Sequence, residues 1–207
     1  MLKIGDNQQK TLDYAREHGP FRPRDVAGLG VHPEDIRRLC RKGLLIRAGR
    51  GLYGLADAEP TTNQTLIEAC KRVPQGVVCL LSALRFHEIG TQLPHKVWLA
   101  VPSKAARPRV EYPPLEVTYL ADQMYREGIE EHRIDGGGVV RVYSIAKTLV
   151  DCFRFRNKVG VDVAVEALRE VVTHRRKYGV TIGQISDIAR KCRTGEVIRP
   201  YIEAMIA

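Results

Sequence analysis

Several things are missing from this 207-residue chain, and each omission narrows what it can be. Its cysteines (Cys40, Cys70, Cys79, Cys152 and Cys192) are odd in number and far apart. There is no CxxC pair and no Cys/His group with zinc spacing, so no metal site and no disulfide framework is expected. That pattern suits a reduced, cytoplasmic setting. Long hydrophobic runs are also lacking. The opening MLKIGDNQQK has no apolar run of signal-peptide length, and no segment approaches roughly 18 uninterrupted apolar residues. The expectation is a soluble intracellular protein with no membrane association. GxSxG and P-loop motifs are absent, as are internal repeats and low-complexity tracts, and no cofactor is expected.

What is present is ordinary in amount and unusual in placement. An apolar fraction of 44% and a charged fraction of 28% describe a globular protein able to bury a core. A net charge of +9 and a pI near 9.5 favour a polyanionic partner, with nucleic acid ahead of a membrane surface; basicity for solubility alone is the competing reading. The distribution of charge discriminates better. From Ile36 to Arg50 there are six cations (Arg37, Arg38, Arg41, Lys42, Arg47 and Arg50) and no acid.

The local patterns around that run are specific. Residues 7–18 read as a helix ended by His18-Gly19-Pro20, and Pro23 starts a short second helix through Val26 and Ala27. Gly28-Leu29-Gly30 is a turn, and Pro33 opens a third helix, where a missing N–H costs nothing. In that helix Ile36, Leu39 and Cys40 recur at core spacing, so Arg37, Arg38 and Arg41 point outward with Glu34. Gly43 is placed to end it, and strands at 44–47 and 52–55 flank a turn with Arg50 at its tip. Three helices and a hairpin in this order form a winged helix-turn-helix, which lays a helix in the DNA major groove with the hairpin beside it.

The outward arginines suit guanine edges or phosphates, with Lys42, Arg47 and Arg50 alongside and Arg22 and Arg24 touching backbone. A solvated helix face with Glu34–Arg38 pairing is the alternative. Glu34 and Asp35 repel phosphates at the helix start. The contact centre therefore shifts towards Arg37, Arg38, Arg41 and the wing tip at Arg50.

The small, polar ADAEPTT segment at 56–62 marks a domain boundary, giving residues 1–58 and 59–207. Beyond it lie a helix at 63–73, an apolar run at 77–81 and a helix capped by Ser82. Strands follow at 96–101 and 116–120, with a short helix at 121–127. A hairpin at 129–134 and 139–143 turns on Asp135-Gly136-Gly137-Gly138. Ser144 caps an apolar-striped helix, and helices at 161–174, 181–191 and 195–205 complete the chain. The fold class is α+β: a winged helix-turn-helix, then a mixed α/β domain that is helix-rich towards its end.

Catalytic patterns are poor in this second domain. His18, His32, His87, His95, His132 and His174 are scattered singly. A nuclease delivered to DNA by the winged helix is the alternative function. It needs an acid on one strand and Glu/Asp-x-Lys on the next, but residues 96–101 hold no acid and Glu116-Val117-Thr118 ends in Thr. Glu116, Glu130 and Asp151 are the acids such an enzyme would use. A protein-docking module with Arg-rich surfaces is a third reading. Arg154, Arg156 and Lys158, and His174 to Lys177, fall at helix ends, where cations favour the dipole; a second nucleic-acid surface reads equally well.

With those residues in view, the chain resembles the AbiEi antitoxins of bacterial type IV toxin–antitoxin (abortive infection) systems. The N-terminal likeness rests on Asp25 to Val31, Ile36 to Leu45 and Gly49 to Tyr53. In the second domain it rests on Leu81-Ser82-Ala83-Leu84 with His87, on Pro94 before KVWLAV, and on Thr148-Leu149-Val150-Asp151. It departs from the family at His32-Pro33-Glu34-Asp35, where small hydroxyl residues are usual. The resemblance implies a repressor that binds inverted repeats in its own promoter. It also implies a C-terminal domain that counteracts a nucleotidyltransferase-like toxin, with or without gripping it. Such a toxin would carry a Gly-Ser and paired aspartates; this chain has no Gly-Ser and no Asp-x-Asp, and so matches the antitoxin side.

Overall fold

The computed structural model describes residues 4–58, 61–134 and 138–206. By its contacts the chain divides into two compact units: Met1–Arg72 with His132–Val140, and Val73–Glu131 with Arg141–Ala207. The expected boundary at 58/59 adjoins Glu59 and Pro60, and the expected hairpin turn spans Asp135 to Gly137; these residues lie outside the described ones.

The first unit holds α1 (Asp6–His18), α2 (Pro23–Val26), a 3-10 turn (Ala27–Leu29), α3 (Pro33–Arg41), β1 (Leu45–Gly49), β2 (Leu52–Leu55) and α4 (Gln64–Arg72). One device starts both α2 and α3. In Arg22-Pro23-Arg24-Asp25 and in His32-Pro33-Glu34-Asp35, proline takes the first helical position and the aspartate reaches back. Asp25 Oδ2 accepts from the Arg22 N–H at 2.8 Å, and Asp35 Oδ2 from the His32 N–H at 3.2 Å. Helix α3 ends at Gly43, whose φ of +70° places it in the left-handed region, while the Leu44 N–H returns to the Leu39 carbonyl at 3.0 Å.

Leu12, Ala15, Phe21, Val26, Val31, Ile36, Leu39 and Leu45 form the core under these helices. Cys40, expected inside, is only half-buried and packs at its margin. Phe21 also exchanges backbone hydrogen bonds with Tyr53 at 2.8 and 2.9 Å, anchoring the hairpin to the α1–α2 connection. In the hairpin Leu45 pairs with Leu55 and Arg47 with Tyr53; the register then shifts, so that Gly49 faces Leu52. The first strand thus runs to residue 49, beyond the expected 47, and only Arg50 and Gly51 turn.

The remaining elements are β3 (Val77–Val78), α5 (Leu80–Phe86), β4 (Val97–Pro102), β5 (Leu115–Leu120), α6 (Asp122–Arg126), β6 (Ile129–Arg133), β7 (Val139–Tyr143) and α7 (Ile145–Arg154), with residues 132–140 of β6 and β7 counted in the first unit. They close with α8 (Arg156–Val159), α9 (Val161–Thr173), α10 (Arg175–Tyr178), α11 (Ile182–Lys191) and α12 (Gly195–Ile206). The sheet order is β5-β4-β3-β7-β6, with β4–β5 and β3–β7 parallel and β3–β4 antiparallel. The α+β class is as the pattern predicts. Short α8 and α10 are additions, each a single turn following the end of a longer helix.

Ser82 does not cap α5. The helix begins two residues earlier, behind Cys79, and Ser82 lies within it. Its Oγ accepts the Trp98 N–H at 2.9 Å, so this hydroxyl satisfies a backbone donor at the start of β4. Ser144 does cap α7, accepting the Lys147 N–H at 3.3 Å. No helix among the described residues is long and apolar enough to cross a membrane.

Candidate nucleic-acid interface

Helix α3 turns Ile36 and Leu39 into the core, which forces Arg37, Arg38 and Arg41 outwards, with side chains 73%, 58% and 70% exposed. The three do not splay apart. Arg41 Nη2 lies 2.5 Å from Glu34 Oε1, Arg38 Nε 3.8 Å from the same oxygen, and Arg37 Nη1 3.5 Å from Oε2. Asp35 is occupied at the helix start, as described above. The two acids expected to oppose phosphate binding therefore have separate jobs: one orders the helix terminus and the other gathers the arginines.

The remaining cations of the run divide into two kinds. Lys42 Nζ donates to Gln8 Oε1 at 2.8 Å, across to α1, and is half-buried. Arg47 is exposed, with its Nε donating to the Gly49 carbonyl at 3.3 Å. Arg50 is exposed at the hairpin tip. Arg24 is exposed, with its Nε 3.8 Å from Asp25. Arg22 is half-buried; burial first, and then the neighbouring Arg24 and Arg72, lower its guanidinium from its ordinary value. A cation held among cations gains from an arriving anion.

Arg72 is a residue that sequence reasoning missed. It ends α4, beyond the expected domain boundary, yet its guanidinium fills the space that a Cβ on Gly49 would occupy. Its Nε is buried and has no hydrogen-bond partner among the described residues. Gly49 is thus the residue that lets an arginine lie against the wing backbone. No local pattern in α4 signals this, because the approach is made across the fold.

The other candidate acids do not converge. Glu116 lies on β5 and Glu130 on β6, the two outer strands of the sheet, and Glu116 faces Lys96 at 3.4 Å. Asp151 is buried on α7, where it accepts from Lys147. Among the described residues no group of three or more His, Cys, Asp or Glu could hold a metal ion. The late basic groups separate as well. Arg154 donates to the Cys192 carbonyl at 3.1 Å and Arg156 to the Phe153 carbonyl at 3.0 Å, which are helix-end contacts. Arg175 and Arg176 stay exposed.

The resemblance motifs of the second part prove structural. His87 Nε2 lies 2.7 Å from the Tyr143 carbonyl, which Thr148 Oγ1 also approaches at 3.2 Å. The Tyr143 hydroxyl donates to the Tyr125 carbonyl at 2.8 Å; burial, ahead of nearby Asp151, pushes that phenol far up. Lys147 sits over the Tyr143 ring, 4.3 Å from its centroid. These residues tie α5, β7 and α7 together through polar contacts in an otherwise apolar core.

Helices around a small core, followed by a two-stranded hairpin, give the first unit a winged-helix architecture. Residues 9–56 match the family described as "Transcriptional regulator, AbiEi antitoxin", the family anticipated above. The chain is also similar in fold to a solved structure, "Crystal structure of RV2827C protein from Mycobacterium tuberculosis". That likeness has a TM-score of 0.53 and 14% identity, and covers 99% of this chain and 82% of the other. No curated protein matches the chain.

Proposed function

We propose that this chain is a DNA-binding transcriptional repressor and the antitoxin of a type IV toxin–antitoxin pair. In this reading α3 enters the major groove, with Arg37, Arg38 and Arg41 at base edges and phosphates. Arg47 and Arg50 follow the adjacent backbone on the wing, and Arg22, Arg24 and Arg72 hold the flanking phosphates. Lys42 sets the angle between α1 and α3. The target is inverted repeats in its own promoter, and the second domain counteracts a nucleotidyltransferase-like toxin. The observation that carries this is the arginine cluster on the outer face of α3, within a segment that matches a family of transcriptional regulators.

The test is fluorescence anisotropy on a duplex taken from upstream of the protein's own reading frame. Each phosphate neutralised lowers log K by about 0.9 per unit of log salt concentration. Arg50→Ala and Arg41→Ala each weaken binding and make that slope shallower by roughly one phosphate. Salt-independent binding, or no binding to that duplex, refutes the DNA-binding half. Co-expression with a growth-inhibiting nucleotidyltransferase, should one be encoded beside it, tests the other half: the full chain restores growth, and continued arrest refutes it.

A further inference from the structure

Glu34 stands in the first turn of α3 and Arg41 in its last, about 10 Å apart along the axis at a rise of 1.5 Å per residue. Side chains on a helix lean towards its N-terminus, so Arg41 reaches back to meet Glu34, with Arg37 and Arg38 between them. The outcome is one carboxylate bearing three guanidinium groups, one oxygen shared by Arg38 and Arg41 and the other facing Arg37. A DNA phosphate presents the same kind of group: a single negative charge spread over two accessible oxygens. Phosphate and Glu34 therefore compete for the same donors. Glu34 is itself only half-buried and makes no capping bond, that role falling to Asp35. Its position serves the arginines and not the helix.

We infer that Glu34 is the specificity-determining residue of α3, an internal phosphate mimic that suppresses sequence-independent binding. This rests on the DNA-binding reading above. On arbitrary DNA, seating a phosphate among the arginines displaces Glu34 and leaves its charge beside the anionic backbone. On a matched site the displaced carboxylate finds a donor, because a cytosine presents its N4 amino group in the major groove. The arginines meanwhile take the edge of a guanine or a positioning phosphate. Glu34 thus penalises the wrong duplex and is compensated on the right one.

The experiment compares wild type, Glu34→Gln and the charge control Glu196→Gln, which removes an exposed acid on α12. Two probes are used: a mixed-sequence duplex, and a duplex enriched by the wild-type protein from a random pool. Glu34→Gln is expected to tighten binding to the mixed-sequence duplex roughly 3- to 5-fold, the upper scale of an exposed ion pair. The enriched duplex gains less or nothing, so the specificity ratio falls. The inference is overturned if Glu34→Gln tracks the control within twofold on the mixed-sequence duplex, or if both duplexes tighten equally. If the wild type enriches no duplex and binds neither probe, the DNA-binding reading fails and takes this inference with it.

Discussion

Lys147 and Asp151 offer the sharpest test of how the second part holds together. They lie one turn apart on α7 with side chains 0% and 2% exposed, the ammonium donating to Oδ2 and stacking over the Tyr143 ring. Asp151 Oδ1 is buried and makes no hydrogen bond among the described residues, so Lys147 is the main compensation for its charge. Removing one charge strands the other. Lys147→Met and Asp151→Asn are each expected to cost about 3–5 kcal/mol, whereas the double variant Lys147→Met/Asp151→Leu stays within about 1 kcal/mol of wild type, because the desolvation cost of both charges disappears. Trp98, the sole tryptophan, lies on β4 of the same sheet, so urea unfolding followed by its emission reads this part of the molecule.

The pH dependence carries a sign. Burial raises the Asp151 carboxyl above its ordinary value of 3.8, and Lys147 opposes that rise. A carboxyl raised in the folded state binds its proton there before it does so in the unfolded chain. Stability from this group therefore falls as pH climbs from the ordinary value through the folded one. Without Lys147 the folded value rises further, so Lys147→Met is less penalised at pH 5 than at pH 8. Single variants within 1 kcal/mol of wild type, or a double variant as unstable as the worse single, would refute the account.

The other expectations are smaller in scope. Glu170 accepts from the Gly90 N–H at 2.7 Å and from the Tyr178 hydroxyl, the latter being the main reason its carboxyl falls below the ordinary 4.5. Glu170→Gln should cost about 1–2 kcal/mol at neutral pH, the scale of hydrogen bonds to a charged group reduced for its partial exposure to solvent. Because the folded value is depressed, wild type holds this advantage above pH 4.5 and loses it as pH drops through the folded value; urea melts at pH 7 and pH 3.5 would read the difference. Ser82→Ala strands the Trp98 N–H, for a loss of about 1–3 kcal/mol and a shift in tryptophan emission, and an unchanged midpoint would count against the bond. Arg50→Ala and Arg41→Ala, described above, should leave thermal stability unaltered, since both side chains are exposed, while DNA affinity falls.

Much of the first unit was legible because its signals are local. Proline at 23 and 33, glycine at 43 and the apolar spacing of Ile36 and Leu39 act within a few residues, and the helices and hairpin follow them closely. The second part was legible where strands alternate or helices are striped. It was less so where tertiary contacts decide: Ser82 looked like a cap by its position, but its partner is on β4, sixteen residues away. Asp151 looked available for chemistry because nothing nearby in sequence marks Lys147 as buried with it. Likewise Glu34 read as an obstacle to DNA, since a linear string shows its charge and hides the three arginines folded back onto it. Arg72 gave no signal, being set apart from the wing by a polar segment.

The strand order also bears on how fast each part can form. Helices α1 to α3 share one small core and β1 pairs with β2, in each case with partners close along the chain. In the five-stranded sheet, by contrast, Val78 must meet Val142, and β4 must pair in parallel with β5 across an intervening loop. Non-local and parallel pairings close slowly, because the entropy of a long loop is lost before any pairing energy is regained. During synthesis the N-terminal helices can condense while the ribosome is still translating the sheet. The arginine-bearing face of α3 is then formed first, and the β3–β7 pairing cannot form until residue 142 has left the exit tunnel.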